Sequence, residues 1–138
     1  MNISASQRQG KVPVSIVQPH GDVDASNYVE LINKVKDLSA GGIRNFIIDL
    51  SDVPFMSSAG LVALHSIAIM MRGEQPTDPK AGWAALKAMD RSRDRGMQPH
   101  VKLLNPQKYV AETFEKAGFT QFFEVFSDLD TAVASFLA

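Results

Sequence analysis

Cysteine is missing from this 138-residue sequence. That excludes disulfides, thiolate nucleophiles and cysteine-ligated zinc. A charge of one sign is also missing, because the formal net charge is −1, so no global basic field points to nucleic acid. No apolar run is long enough to span a bilayer; the longest, Leu61 to Met71, is interrupted by His65 and Ser66. The opening MNISASQRQGK has no apolar core of signal-peptide length, which makes a reducing cytoplasm the expected compartment. Glycine-rich phosphate loops are absent. The three histidines, His20, His65 and His100, have no partner at metal-ligand spacing, so neither a metal nor a cofactor is expected. What remains is an apolar fraction of 45% in a chain long enough for one domain with a real core.

The most informative stretch runs from Asn45 to Arg72. Phe46-Ile47-Ile48 reads as a buried strand that ends at Asp49. A polar loop with Pro54 follows, and a long apolar segment with helical spacing begins at Ser57-Ser58. The first turn of a helix concentrates unpaired N–H groups and accepts negative charge. The two serines are therefore either simple caps or a site for a phosphoryl group. They do not form a nucleophile elbow, since no glycine precedes them. His65 lies seven residues past Ser58 on the same helix, about 10 Å by helix rise, too far to act as its base. No catalytic residue is assigned.

Elsewhere, strands alternate with helices. Ile3 and Ala5 suggest a weak edge strand. Val12 to Val17 reads as a second strand with Val12, Val14 and Ile16 on one face. A helix capped by Ser26 or Asp24 carries the stripe Val29, Leu31, Ile32, Val35 and Leu38, and Gly41-Gly42 stops it. Residues 73–99 read as an inserted helical excursion, with a helix over Lys80 to Arg95 presenting Trp83, Leu86 and Met89. Val101, Leu103 and Leu104 form another strand, and Val110, Phe114 and Ala117 a short helix closed by Gly118. Phe122, Phe123, Val125 and Phe126 read as a last strand, and Asp128 caps a final helix. The expected fold is one α/β domain over 1–138, with a mixed, mainly parallel sheet of four to five strands and helices packed on it.

The segment IIDLSDVPFMSSAGLVALH resembles the signature of the STAS domain, found in bacterial anti-sigma factor antagonists. Pro19-His20-Gly21-Asp22-Val23-Asp24 is similar to the acidic stretch that follows the second strand in that family. The resemblance places the family's phosphorylatable serine on Ser58 and puts Ser57 where the family often has aspartate. It implies a non-catalytic regulator of sigma-factor-dependent transcription that works by partner switching. Its partners would be an anti-sigma factor serine kinase and a PP2C-type phosphatase, with neither nucleic acid nor membrane bound, and the protein itself a monomer or weak dimer. Asp22, Asp24, Ser57 and Gly60 would flank or shape the site. For the two aspartates, turn and cap chemistry is the plainer reading.

On the serine-headed helix, about 100° per residue puts Leu61, Leu64, Ala68 and Met71 on one side. Ser58, Val62, His65 and Ile69 fall on the other. The expectation is that this weakly polar side receives a partner, so that Val62, His65 and Ile69 extend the footprint of Ser58. Cover by Trp83 and Leu86 of the insert is the competing expectation. Two rival functions stay open: a constitutive scaffold or sensor subunit that is never phosphorylated, and a module that binds a nucleotide or phosphate at the helix start.

Overall fold

The structure, a computed structural model, describes residues 1–73 and 98–137. The helix expected over Lys80 to Arg95, with Trp83, Leu86 and Met89, lies outside the described residues. Among the described residues, five strands form one sheet in the order β1-β2-β3-β4-β5. They are β1 (Asn2–Gln9), β2 (Pro13–His20), β3 (Phe46–Asp49), β4 (Val101–Leu104) and β5 (Val125–Phe126). β1 pairs antiparallel with β2, and every later pairing is parallel. The mixed, mainly parallel sheet expected from the alternating elements is the one observed. Pro13 and Pro19 both lie in β2, a strand with neighbours on either side. They are tolerated because β3 pairs only with Ser15 to Val17, so neither proline interrupts a ladder.

Both faces of the sheet are covered, which is why Phe46-Ile47-Ile48 is apolar at every position rather than alternating. Phe46, Ile48, Val101 and Leu103 face a large core shared with α1 (Tyr28–Ala40), α2 (Ser58–Met71) and α3 (Lys108–Ala117). Ile47, Leu104, Val14 and Ile16 face the other way, against Ala132, Val133 and Phe136 in and beyond α4 (Leu129–Ala134). Lys102 shares that second face and is only 4% exposed. Its ammonium donates to Ser135 Oγ at 2.8 Å, pairs with Glu124 at 3.2 Å, and sits 4.5 Å from the centre of the Phe136 ring. A buried charge needs partners of this kind. Here they tie the end of the chain to the sheet.

Several local expectations hold in detail. Asp128 Oδ2 accepts from the Thr131 N–H at 2.9 Å and caps α4. Gly118 ends α3 in the left-handed conformation, φ +77°. Leu31 and Val35 are the buried residues of α1. Other details are corrected. The residue preceding α1 is Asn27, and no side chain caps that helix, because the Asp24 carboxylate is engaged by Ser26 instead. Phe122 and Phe123 are not in a strand. The left-handed turn at Gly118 leads into a short 3-10 turn, Phe119–Gln121, which drops both rings into the large core, and β5 begins only at Val125.

Candidate functional site

The site is built where two loops run side by side above the ends of β2 and β3. Gly21 N–H donates to Asp52 O at 2.9 Å, and Val23 N–H to Phe55 O at 3.1 Å. Ser57 N–H donates back to Val23 O at 2.9 Å. Val23 and Met56 form an isolated parallel bridge. The acidic loop is thereby hydrogen-bonded to the serine loop. Val23, between Asp22 and Asp24, points into the core with no exposure, while Asp22 is exposed and Asp24 half-buried. Asp24 Oδ1 accepts from Ser26 N–H at 2.9 Å and Ser26 Oγ at 2.6 Å, and these bonds hold its carboxyl below the ordinary carboxylate range. It stays anionic.

α2 then starts abruptly. Ser57 is extended, with φ −80° and ψ 177°, and its carbonyl accepts the Leu61 N–H at 3.2 Å. Its hydroxyl makes no cap bond and is enclosed without a partner. Ser58, the first helical residue, is exposed. Of the two serines, Ser58 is the one that a protein or an enzyme can reach.

Gly60 is fixed by space. A Cβ built there would lie 2.3 Å from Met56 Cγ and 3.2 Å from Val23 Cγ1, so an added side chain requires Met56 or α2 itself to shift. Gly60→Ala is expected to cost about 1–3 kcal/mol as overpacking. Chemical denaturation reads it as a lower midpoint at unchanged slope. An unchanged midpoint would mean that Met56 swings aside freely and that the seat is not tight.

The expectation for the far side of α2 is corrected. Val62, His65 and Ile69 are 6%, 5% and 7% exposed. The apolar row is therefore core, not an open surface. A helix that is apolar all round is buried all round. One side of α2 faces the sheet and α1. On the other, the Phe122 ring lies 5.6 Å from the His65 ring, and the Arg72 guanidinium 5.7 Å from the centre of Phe122. Asp22, Asp24, Ser57, Ser58 and Gly60 are brought together, while Val62, His65 and Ile69 are not at the surface with them.

Burial, with a smaller contribution from Arg72, pushes the His65 pKa down to about 4, and its Nε2 has no hydrogen-bond partner. The unfolded chain, with histidine near 6.5, therefore binds more protons than the folded one between these values. Stability should be full above pH 6.5 and fall as the pH drops toward 4, by at most about 1.4 kcal/mol per pH unit for this one proton. His100, lowered by burial and Arg44, acts in the same direction. Thermal melts from pH 7.5 to 5 should show a steeper decline for the wild type than for His65→Leu. Parallel curves would show that His65 is not the titrating group.

Sequence reasoning missed an exposed aromatic pair beside the serine loop. Phe55 is 39% exposed, Tyr109 on α3 is 56% exposed, and their ring centres are 5.8 Å apart. Gln107, before α3, donates to Ser51 O at 3.0 Å and holds the two loops in register. The available signal was Phe55 itself, an aromatic directly after Pro54 in the loop. Among the described residues no group of side chains is placed to hold a metal ion, and no helix is long and apolar enough to cross a membrane.

A mixed sheet with a helix-start serine seated on an acidic loop defines a class of small α/β modules. The STAS domain model matches residues 4–75, just over half of the chain, and the chain belongs to that family. Its fold is similar to that of an anti-sigma factor antagonist from Mycobacterium paratuberculosis. The two are 17% identical with a TM-score of 0.65, and the match covers 99% of this chain and 96% of that one. It is also similar to SpoIIAA in its unphosphorylated form, at 14% identity and TM-score 0.61, covering 94% of this chain and 93% of that one. The phosphorylated form of the Bacillus cell fate determinant SpoIIAA matches at 14% identity and TM-score 0.53, covering 96% of each chain. At these identities the likeness shows the fold. No curated protein matches the sequence significantly.

Proposed function

We propose that this chain is a non-catalytic, protein-binding regulator of the anti-sigma factor antagonist type, switched by phosphorylation of Ser58. The observation that carries the reading is the placement of Ser58. It is the exposed first residue of α2, at a helix end that favours negative charge, on a loop hydrogen-bonded to the acidic Asp22–Asp24 loop. It also lies inside the segment that matches the STAS model. A structural relative has been solved both phosphorylated and unphosphorylated, which favours a switch over a constitutive scaffold.

On this reading the chain acts in the cytoplasm, and its unphosphorylated form binds a serine-kinase anti-sigma factor, so that sigma-factor-dependent transcription proceeds. The kinase phosphorylates Ser58 and the pair separates; a PP2C-type phosphatase resets it. The contact surface comprises Asp22, Asp24 and Ser58, extended across the exposed rings of Phe55 and Tyr109 rather than down the buried face of α2. Phosphate adds about −1.5 to −2 charges beside that surface. It is tolerated by the fold at the helix start and disrupts whatever protein is docked there. The test is incubation with anti-sigma factor kinases captured from the native cell, followed by mapping of the modified residue by mass spectrometry. Modification at Ser58 and not at the enclosed Ser57 is expected. Modification at Ser57 alone, or none with a kinase that binds, would overturn the proposal.

A further inference from the structure

The two ends of the sheet are unlike. β5, at one end, is two residues long and offers almost no edge. β1, at the other, runs for eight residues, and among the described residues no strand pairs with its outer side. All but one of its residues are exposed, the exception being half-buried Ile3. Long edges are ordinarily blunted by proline, by a bulge or by lysines. β1 has none of these: its register against β2 is unbroken from Asn2 to Gln9. Its only charge, Arg8, is turned onto the α4 face, where it binds Asp130 Oδ1 at 2.6 Å.

The hydrogen-bond register shows which groups the edge presents. Ser15 N–H donates to Asn45 O, on the β3 side, at 3.0 Å. Ser15 is therefore not exchanging N–H bonds with its β1 partner, Gln7. Pairs alternate along an antiparallel ladder, so Ile3, Ala5, Gln7 and Gln9 all turn their N–H and C=O groups away from β2. The positions of the prolines agree. Pro13 and Pro19 stand opposite Gln9 and Ile3, at pairs that need no N–H from β2. The outer side of β1 is a row of outward backbone donors and acceptors at alternate residues.

We propose that this edge is where two copies of the chain meet, β1 pairing antiparallel with β1 of the second copy about a two-fold axis, so that two five-stranded sheets become one continuous sheet. The strand fits itself. Of the two-fold registers that bring outward-facing residues together, the two that overlap most of the strand have their axis at Ala5 or at Ser6. With the axis at Ala5, Ile3 faces Gln7 and Arg8 faces Asn2. With the axis at Ser6, Ala5 faces Gln7 and Arg8 faces Ser4. In neither case do like charges oppose. A small residue lies at the axis in both. The pairing edge of β1 and the serine loop are on different elements; β1 begins at the loop end of the sheet, where Asn2 stands opposite His20 and Ser4 Oγ lies 2.7 Å from His20 Nε2.

Sedimentation equilibrium from about 1 µM to about 1 mM, the range a small interface of this kind spans, should show a concentration-dependent monomer–dimer equilibrium. Ala5→Pro removes one outward N–H and leaves the β2 ladder intact, as the native prolines do, so it should be a folded monomer throughout. Ala5→Lys with Gln7→Lys places lysine opposite lysine in either register and should also be monomeric. It decides the matter if the proline variant folds poorly. A wild type that stays monomeric to the top of the range, or a folded lysine variant that dimerises as the wild type does, would overturn the proposal.

Discussion

Replacing Val62 by lysine is expected to remove a large part of the stability of the fold. Val62 is 6% exposed within the core that joins α2 to the sheet. Among the described residues the cluster that Val62 packs in is apolar. Removing the partner of a buried charge costs about 3–5 kcal/mol in measured cases, and creating an unpartnered one is of the same kind. A domain of this size holds only about 5–15 kcal/mol in total. Ile69→Lys should behave alike, since Ile69 is 7% exposed. Denaturant unfolding of both variants beside the wild type measures the loss. A loss below about 1 kcal/mol at either position would mean that the side chain reaches solvent. The far face of α2 would then be available to a partner after all.

That prediction reverses what the sequence suggests, and the reason is physical. Helical periodicity assumes one core stripe and one wet stripe. α2 has a stripe of Leu61, Leu64 and Ala68, and the absence of charge opposite it reads as a sticky surface. A helix covered from both sides carries the same pattern. What separates the two cases is where Phe122 goes. Its place in the run Phe122-Phe123-Glu124-Val125-Phe126 reads as strand, but the turn at Gly118 and the 3-10 turn after it deliver the ring to His65 instead. At His65 the two local misreadings meet in one tertiary contact that no window of sequence contains. The elements whose signals are local were legible: the Asp128 cap, the stop at Gly118, the two short apolar strands β3 and β4 and the serine-headed helix start. The need for glycine at position 60 was legible as a motif. Its cause, the approach of Met56 and Val23, appears only when the two loops are seen side by side.

Ser58→Asp is expected to separate folding from binding. The side chain is exposed at the first residue of α2, and aspartate at a helix start gains about 0.3–1 kcal/mol from the unpaired N–H groups there. Asp22 and Asp24 on the hydrogen-bonded neighbouring loop oppose some of that gain, so the melting temperature should move by only a few degrees in either direction. Binding is another matter. If a kinase of the anti-sigma factor type docks on Ser58, Asp22, Asp24 and the Phe55–Tyr109 rings, the new carboxylate must be desolvated next to existing acids. An affinity loss of about 100-fold, or about 2.7 kcal/mol, is the scale expected of a like charge forced into an interface. Titration calorimetry with the captured partner measures it, with Ser58→Ala as the control that keeps the surface neutral and should bind close to the wild type. The phosphorylated protein, carrying more charge than aspartate, should bind weaker still. A Ser58→Asp protein that binds as tightly as the wild type would remove Ser58 from the interface. One that loses binding and melting temperature together would make the serine a structural residue, and the switch would have to lie elsewhere on the chain.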